Sequence, residues 1–193
     1  MEFYGDSISG NCLKLRYTAD LLGIPYTWCE TDLLAGETRT PAFLRMNPAG
    51  QVPVMKLDDG RCLAQSNAII TYLAEGSALF PDDRYQRALI SQWLYWEQYS
   101  HEPYVAVCRF HMKYLGRSAS ERESWRVEKG EAALDLMEAS LQAGDWLAGD
   151  EMTLADISLF AYTSLCHEGG FSLSNRRAIS HWVARCQRRL GLG

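Results

Sequence analysis

Three stretches of this 193-residue chain carry groups that would hold an extended peptide and work on it. Val52-Pro53 stands where the chain would enter a strand. A cis bond before Pro53 would turn the amide and carbonyl of Val52 outward, and an extended ligand would pair with that backbone edge as a neighbouring strand does. Gln65-Ser66 stands at the mouth of the helical run Ala68-Ile69-Ile70-Thr71-Tyr72-Leu73. A serine hydroxyl, a main-chain amide and the positive end of a helix together suit a carboxylate there. The third stretch, Asp6-Ser7-Ile8-Ser9-Gly10-Asn11-Cys12, brings hydroxyls, a side-chain amide and a thiol into one turn. Two plainer readings stand beside these: a trans proline opening an edge strand, and a serine that only caps its helix.

Other chemistries lack their spacing. The six cysteines, Cys12, Cys29, Cys62, Cys108, Cys166 and Cys186, form no C-x-x-C pair, so neither a redox couple nor a zinc site is indicated and reduced, mostly buried thiols are expected. The histidines His101, His111, His167 and His181 make no H-x-x-x-H set, and no metal is expected. With 19 Lys and Arg against 24 Asp and Glu the formal charge is -5, which argues against general affinity for nucleic acid or an anionic membrane. No apolar run approaches the roughly 20 residues of a membrane span, and no charged segment leads into an apolar signal core, so a soluble cytoplasmic protein is expected.

The elements that must position these groups follow from patterning. Glu2-Phe3-Tyr4 reads as a strand, a helix runs to about Leu22, and a second strand passes through Tyr26-Trp28. A helical connection leads to two strands, Pro53 to Leu57 and Arg61 to Ala64, joined by the hairpin signal Asp58-Asp59-Gly60. The helix after Ser66 gives way between Gly76 and Arg84, and beyond Pro81 the pattern is helical throughout. Tyr85 to about Leu115 reads as one helix with Leu89, Trp93, Trp96 and Ser100 on its inner face, Tyr99 in the core, and a kink near Tyr99 caused by Pro103. Ser120 with Glu123 predicts a capping box for a helix ending near Gln142. Thr153 with Asp156 predicts another for the apolar run Ile157 to Tyr162, and Arg177 to Leu190 a last helix.

This order, with a proline opening the third strand, resembles the glutathione transferase family over nearly the whole chain. Three motifs carry the resemblance. Asn47-Pro48-Ala49-Gly50-Gln51-Val52-Pro53 is similar to the family's loop before its cis-proline, Gln65-Ser66-Asn67-Ala68-Ile69-Ile70 to its γ-glutamyl clamp, and Thr153-Leu154-Ala155-Asp156 to the cap of its buried helix. The implied fold is a thioredoxin-like α/β domain over residues 1–76, which binds glutathione, and an all-α helical domain over residues 85–193, which lines the electrophile site. The class implied is a cytosolic, bacterial-like one that uses serine or asparagine.

The resemblance then distributes roles. Val52, with Pro53, would pair with the cysteinyl backbone of glutathione, Gln65 and Ser66 would hold its γ-glutamyl end, and Arg39 would meet its glycine carboxylate where relatives often place His or Lys. Because the thiolate is the nucleophile, a donor near sulfur is required. Aligning Tyr4 to Arg16 with the serine-using classes puts Ser9 in that position; relatives with a Thr and an Asn two residues later make Asn11 the alternative. Tyr4 lies within a strand, and Cys12 falls one residue late for mixed-disulfide chemistry. Tyr99, Tyr104, Cys108, Phe110 and His111 mark the stretch that would line the electrophile pocket. The implied protein is a homodimer that joins glutathione, its only co-substrate, to a hydrophobic electrophile without metal or redox cofactor. A chain that ends soon after Leu190 implies an open pocket. Two alternatives remain: a non-catalytic binding or interaction protein on the same fold, and a glutathione-dependent peroxidase or reductase.

Overall fold

In β1 (Glu2–Gly5) buried Phe3 and Gly5 alternate with half-buried Glu2 and Tyr4, the period-two pattern of a strand laid on a core. α1 (Gly10–Leu22) stops at Gly23, whose left-handed φ of 66° lets its amide return to the carbonyls of Ala19 and Asp20. β2 (Thr27–Glu30) then runs parallel to β1. A 3-10 turn, Glu37–Arg39, leads into α2 (Pro41–Met46), which starts with proline and is capped by the Thr40 hydroxyl accepting from the Phe43 amide at 3.3 Å. β3 (Val54–Lys56) and β4 (Cys62–Ala64) form the hairpin expected around Gly60, and α3 (Ser66–Ala74) packs against α1.

The computed structural model describes residues 1–192, which divide into one unit of Met1–Ser77 and a second beginning at Ala78. The first is a thioredoxin-like sheet of order β2-β1-β3-β4. Its core holds Phe3, Leu15, Val54, Met55, Ile69 and Ile70, all fully buried. Register positions the site. Tyr4 faces Val54 across β1 and β3, and Val54 faces Ala64 across β3 and β4. The chain leaving β1, the chain entering β3 at Val52-Pro53 and the chain leaving β4 at Gln65-Ser66 therefore meet at one end of the sheet.

The second unit is all-α. α4 (Arg84–Trp96) is capped by Asp83 and runs without a break through a π turn at Glu97–His101, α5 (Glu102–Arg109) and a second π turn at Phe110–Tyr114. The expected kink takes the form of that first widened turn: Pro103 has no amide for the carbonyl of Tyr99, and the chain loops out over Glu97–His101. The inner face also lies one residue later than expected. Ile90, Leu94, Glu97 and His101 are buried, while Trp93 and Trp96, in edge-to-face contact at 5.2 Å, flank that face half-buried. Tyr99 is 82% exposed and no part of the core.

α6 (Ser124–Gln142) ends where expected, but its predicted capping box is displaced. The carboxylate of Glu121 accepts from the Ser118 amide and hydroxyl, both at 2.7 Å, so the box closes a 3-10 turn at Ala119–Glu121, and Glu123 stands at the N-cap of α6 with its carboxylate on Arg126 and not on the helix amides. In α7 (Leu154–Thr163) every residue is buried, and the box of Thr153 and Asp156 is present as read. α8 (Arg177–Leu190) packs Trp182 and Ile179 inward.

Candidate functional site

The turn after β1 is fastened from three sides. The Asp6 carboxylate accepts from the Ile8 amide at 2.9 Å, and the Asp6 carbonyl accepts from the Ser9 amide at 3.1 Å. From β2, Glu30 accepts from the Ser7 amide at 2.9 Å and from the Trp28 indole at 2.6 Å. Burial alone would raise the Glu30 carboxyl, but the bonds from Trp28 and Ser7 outweigh it and hold it below the usual carboxylate range. Gly5 admits no side chain, since a Cβ there would lie 2.8 Å from the Trp28 ring and 2.9 Å from the Cys12 sulfur.

Ser9 ends this turn as the N-cap of α1, 8% exposed, with no bond from its side chain to the helix amides. Its side chain meets the thiol of Cys12 instead. Cys12 is fully buried; burial pushes its thiol up to about 12, against the smaller opposing effect of Ser9. A thiol so placed is a poor nucleophile at neutral pH. Tyr4, half-buried in β1, donates to Glu2 at 3.0 Å.

The peptide bond Val52–Pro53 is cis. The loop before it is folded by buried Asn47, which donates to the Gln51 carbonyl at 2.7 Å and accepts from the Ala49 amide at 3.1 Å. Among the described residues the amide and carbonyl of Val52 have no hydrogen-bond partner within the chain, so that short edge can accept an extended ligand.

Gln65 carries a φ of 71°, a left-handed conformation rare for a residue with a side chain, and occupies the N-cap of α3. Ser66 is consequently the first helical residue. Its hydroxyl does not cap the helix but donates to Asn11 Oδ1 at 3.0 Å. Lys14 completes the cluster from α1, its ammonium 3.4 Å from Ser66 Oγ and 3.3 Å from Asn67 Oδ1. Two groups read separately in the sequence, Asn11 and Ser66, are thus joined, and a helix end rich in donors faces them.

A turn carrying hydroxyl and amide side chains, a cis-proline edge and the N-terminus of α3 stand at one end of a thioredoxin-like sheet. The family of glutathione S-transferase N-terminal domains matches residues 8–75, and that of glutathione S-transferase C-terminal domains matches residues 100–189. Glutathione S-transferase 2 of Anopheles gambiae is 30% identical over 196 residues, covering 96% of this chain and 91% of the relative. The chain belongs to the glutathione S-transferase family. A crystal structure of a glutathione S-transferase from Pseudomonas fluorescens shares 46% identity at a TM-score of 0.93, covering 96% of this chain and 94% of its own. A delta-class glutathione transferase of Nilaparvata lugens follows at 27% identity and 0.87, covering 97% and 88%.

The other expected positions of this family member fall as follows. Arg39 is exposed and donates to the Ala49 carbonyl at 3.3 Å, which sets its guanidinium beside the loop leading to Val52. In the second unit, Tyr104, Cys108 and His111 follow at helical steps on one face. Tyr104 and His111 are half-buried, Tyr104 edge-on to Trp125 at 6.2 Å, whereas Cys108 is fully buried and its thiol is raised by that burial. Tyr99 is exposed to solvent. Lys14, Glu30 and Asp6 were missed by the sequence reading. Lys14 had one signal, its place three residues after Asn11 on the same helix face. Among the described residues no group of three or more His, Cys, Asp or Glu side chains comes together to hold a metal.

Proposed function

We propose that this glutathione S-transferase binds glutathione along Val52-Pro53, anchors its γ-glutamyl carboxylate at Ser66 beside Gln65, and ionises its thiol at the turn of Ser9 and Asn11, so that the thiolate attacks a hydrophobic electrophile. The observation that carries this is the 3.0 Å bond from Ser66 to Asn11, which holds the carboxylate-binding helix and the thiol-facing turn in one piece. Such a site works by proximity and by stabilising the ionised sulfur. Arg39 is positioned for the glycine carboxylate, and Tyr104 and His111 are the side chains proposed to meet the electrophile, with Cys108 behind them and Tyr99 at the margin. The buried thiol of Cys12 speaks against a disulfide step at this turn.

The protein is proposed to act as a cytoplasmic homodimer; no helix among the described residues is long and apolar enough to cross a membrane. A monomeric mass by light scattering at micromolar concentration would refute the dimer. Titration of glutathione into the protein at pH 7, following heat and thiolate absorbance together, tests the site. Binding with a thiolate signal is expected, and the variant Ser9→Ala should lose rate by about 10²-fold with little change in affinity. Binding without a thiolate would point to a carrier, and an unchanged rate in Ser9→Ala would move the role to Asn11.

A further inference from the structure

Lysine is seldom fully buried unless its charge is partnered, yet Lys14 on α1 is 0% exposed. Its ammonium reaches the first two residues of α3, at 3.4 Å from Ser66 Oγ and 3.3 Å from Asn67 Oδ1. An ammonium donates and never accepts, so Ser66 meets it with an oxygen lone pair and must aim its single proton elsewhere. In the structure that proton goes to Asn11 Oδ1 at 3.0 Å. The charge also lies under the amide end of α3, where it adds to the positive pole of the helix.

We propose that Lys14 is a positioning residue of the glutathione site. By directing the Ser66 hydroxyl and the Asn67 amide, and by supplying positive charge beneath α3, it makes the site select a γ-glutamyl group with an ionised carboxylate over a neutral one. This rests on the glutathione reading above. Lys14 itself stays below the helix end and acts through Ser66 and Asn67. A unit charge within about 6 Å, in surroundings only partly screened by water, is enough for roughly ten- to thirty-fold discrimination.

The test compares glutathione with an analogue whose γ-glutamyl carboxylate is a carboxamide, both titrated calorimetrically. The unaltered protein should bind the carboxamide at least about ten-fold more weakly. Lys14→Met should weaken glutathione about ten-fold and leave the carboxamide nearly unchanged, whereas a general disturbance of packing would weaken both alike. Should Lys14→Met fail to give the native near-ultraviolet circular dichroism, Asn67→Ala, which keeps the buried charge, decides the matter. It should cost glutathione about three- to five-fold and spare the carboxamide. Equal binding of the two ligands by the unaltered protein, or equal losses for both in a folded variant, overturns the role of Lys14. Absence of glutathione binding to the unaltered protein overturns instead the reading on which it rests.

Discussion

Replacing Asp156 with Asn, a change of one oxygen for one NH2 group, should cost the second unit much of its stability. The carboxylate is fully buried and collects four donors. Oδ1 accepts from the Leu147 amide at 3.0 Å and the Trp182 indole at 2.9 Å; Oδ2 accepts from the Thr153 amide at 2.9 Å and its hydroxyl at 3.2 Å. It therefore ties together the turn before α7, the cap of α7 and the face of α8. An asparagine offers an oxygen to only one of these pairs. If the amide turns its NH2 toward Thr153, the hydroxyl can rotate to accept, and one amide donor is stranded; turned the other way, two donors are stranded. The variant settles in the orientation that strands one buried donor, and at about 1–3 kcal/mol for such a donor the loss is about 1–3 kcal/mol. Against a total of roughly 5–15 kcal/mol for a domain, that is a large share. Equilibrium unfolding in urea, followed by tryptophan fluorescence and circular dichroism, measures it through the shift in midpoint at constant slope. A loss below about 1 kcal/mol would refute the reasoning, because it would mean that these four contacts are exchanged for water at no cost.

Ser66→Ala removes the hydroxyl whose single proton, given to Asn11 Oδ1 in the structure, would turn to the ligand carboxylate, so glutathione affinity by calorimetry should fall by about 1.5–3 kcal/mol, near ten- to hundred-fold; unchanged affinity would leave the hydroxyl a mere spacer. Alkylation with iodoacetamide at pH 8 should modify exposed Cys62 and spare buried Cys12, whose thiol is pushed up to about 12, and mass spectrometry showing equal rates would contradict that burial. Because Cys12 is held as the neutral thiol, its contribution to stability is complete below the free-thiol pKa near 9 and is lost as pH rises from there toward 12. Urea midpoints at pH 8 and pH 10.5 should show the decline, and the drop should be smaller in Cys12→Ala.

Much of the fold was legible because its signals are local. The β-α-β order, the hairpin at Gly60, the cap of α7 and the ends of α6 and α8 each depend on residues close together in sequence. The displaced cap shows the limit: Ser118 with Glu121 and Ser120 with Glu123 have the same spacing, and only the 3-10 turn at Ala119–Glu121 separates them. The inner face of α4 was misplaced by one residue because tryptophans drew it to positions 93 and 96, where each ring is only half-buried. Buried charge misleads in the same way. Glu97 and Lys14 look like solvent-facing residues of amphipathic helices, and only packing takes them inside. At the candidate site, the residue types proposed for the peptide grip stand close together in sequence, but the bond between Asn11 and Ser66 spans 55 positions and arises from α1 lying against α3. Ser66 was read as a helix cap or a ligand group; Gln65, with its positive φ, takes the capping position and Ser66 is the first helical residue.

The two π turns bear on how this helix tolerates change in length. A π turn holds one residue more than the α turn it replaces; the one at Glu97–His101 lies between two α stretches, and the one at Phe110–Tyr114 ends the helix at its C-cap Leu115. Deleting one residue within Phe110–Tyr114 would shorten the last turn by about 1.5 Å without rotating a helical stretch, whereas a deletion within Glu97–His101 would restore the α register only by placing Pro103 inside an α turn. The same deletion near Ile90 would rotate one flank by about 100° and carry apolar side chains out of the core. Change in length is thus absorbed most readily in the terminal turn of this helix, which carries His111, and resisted along the stretch before Glu97.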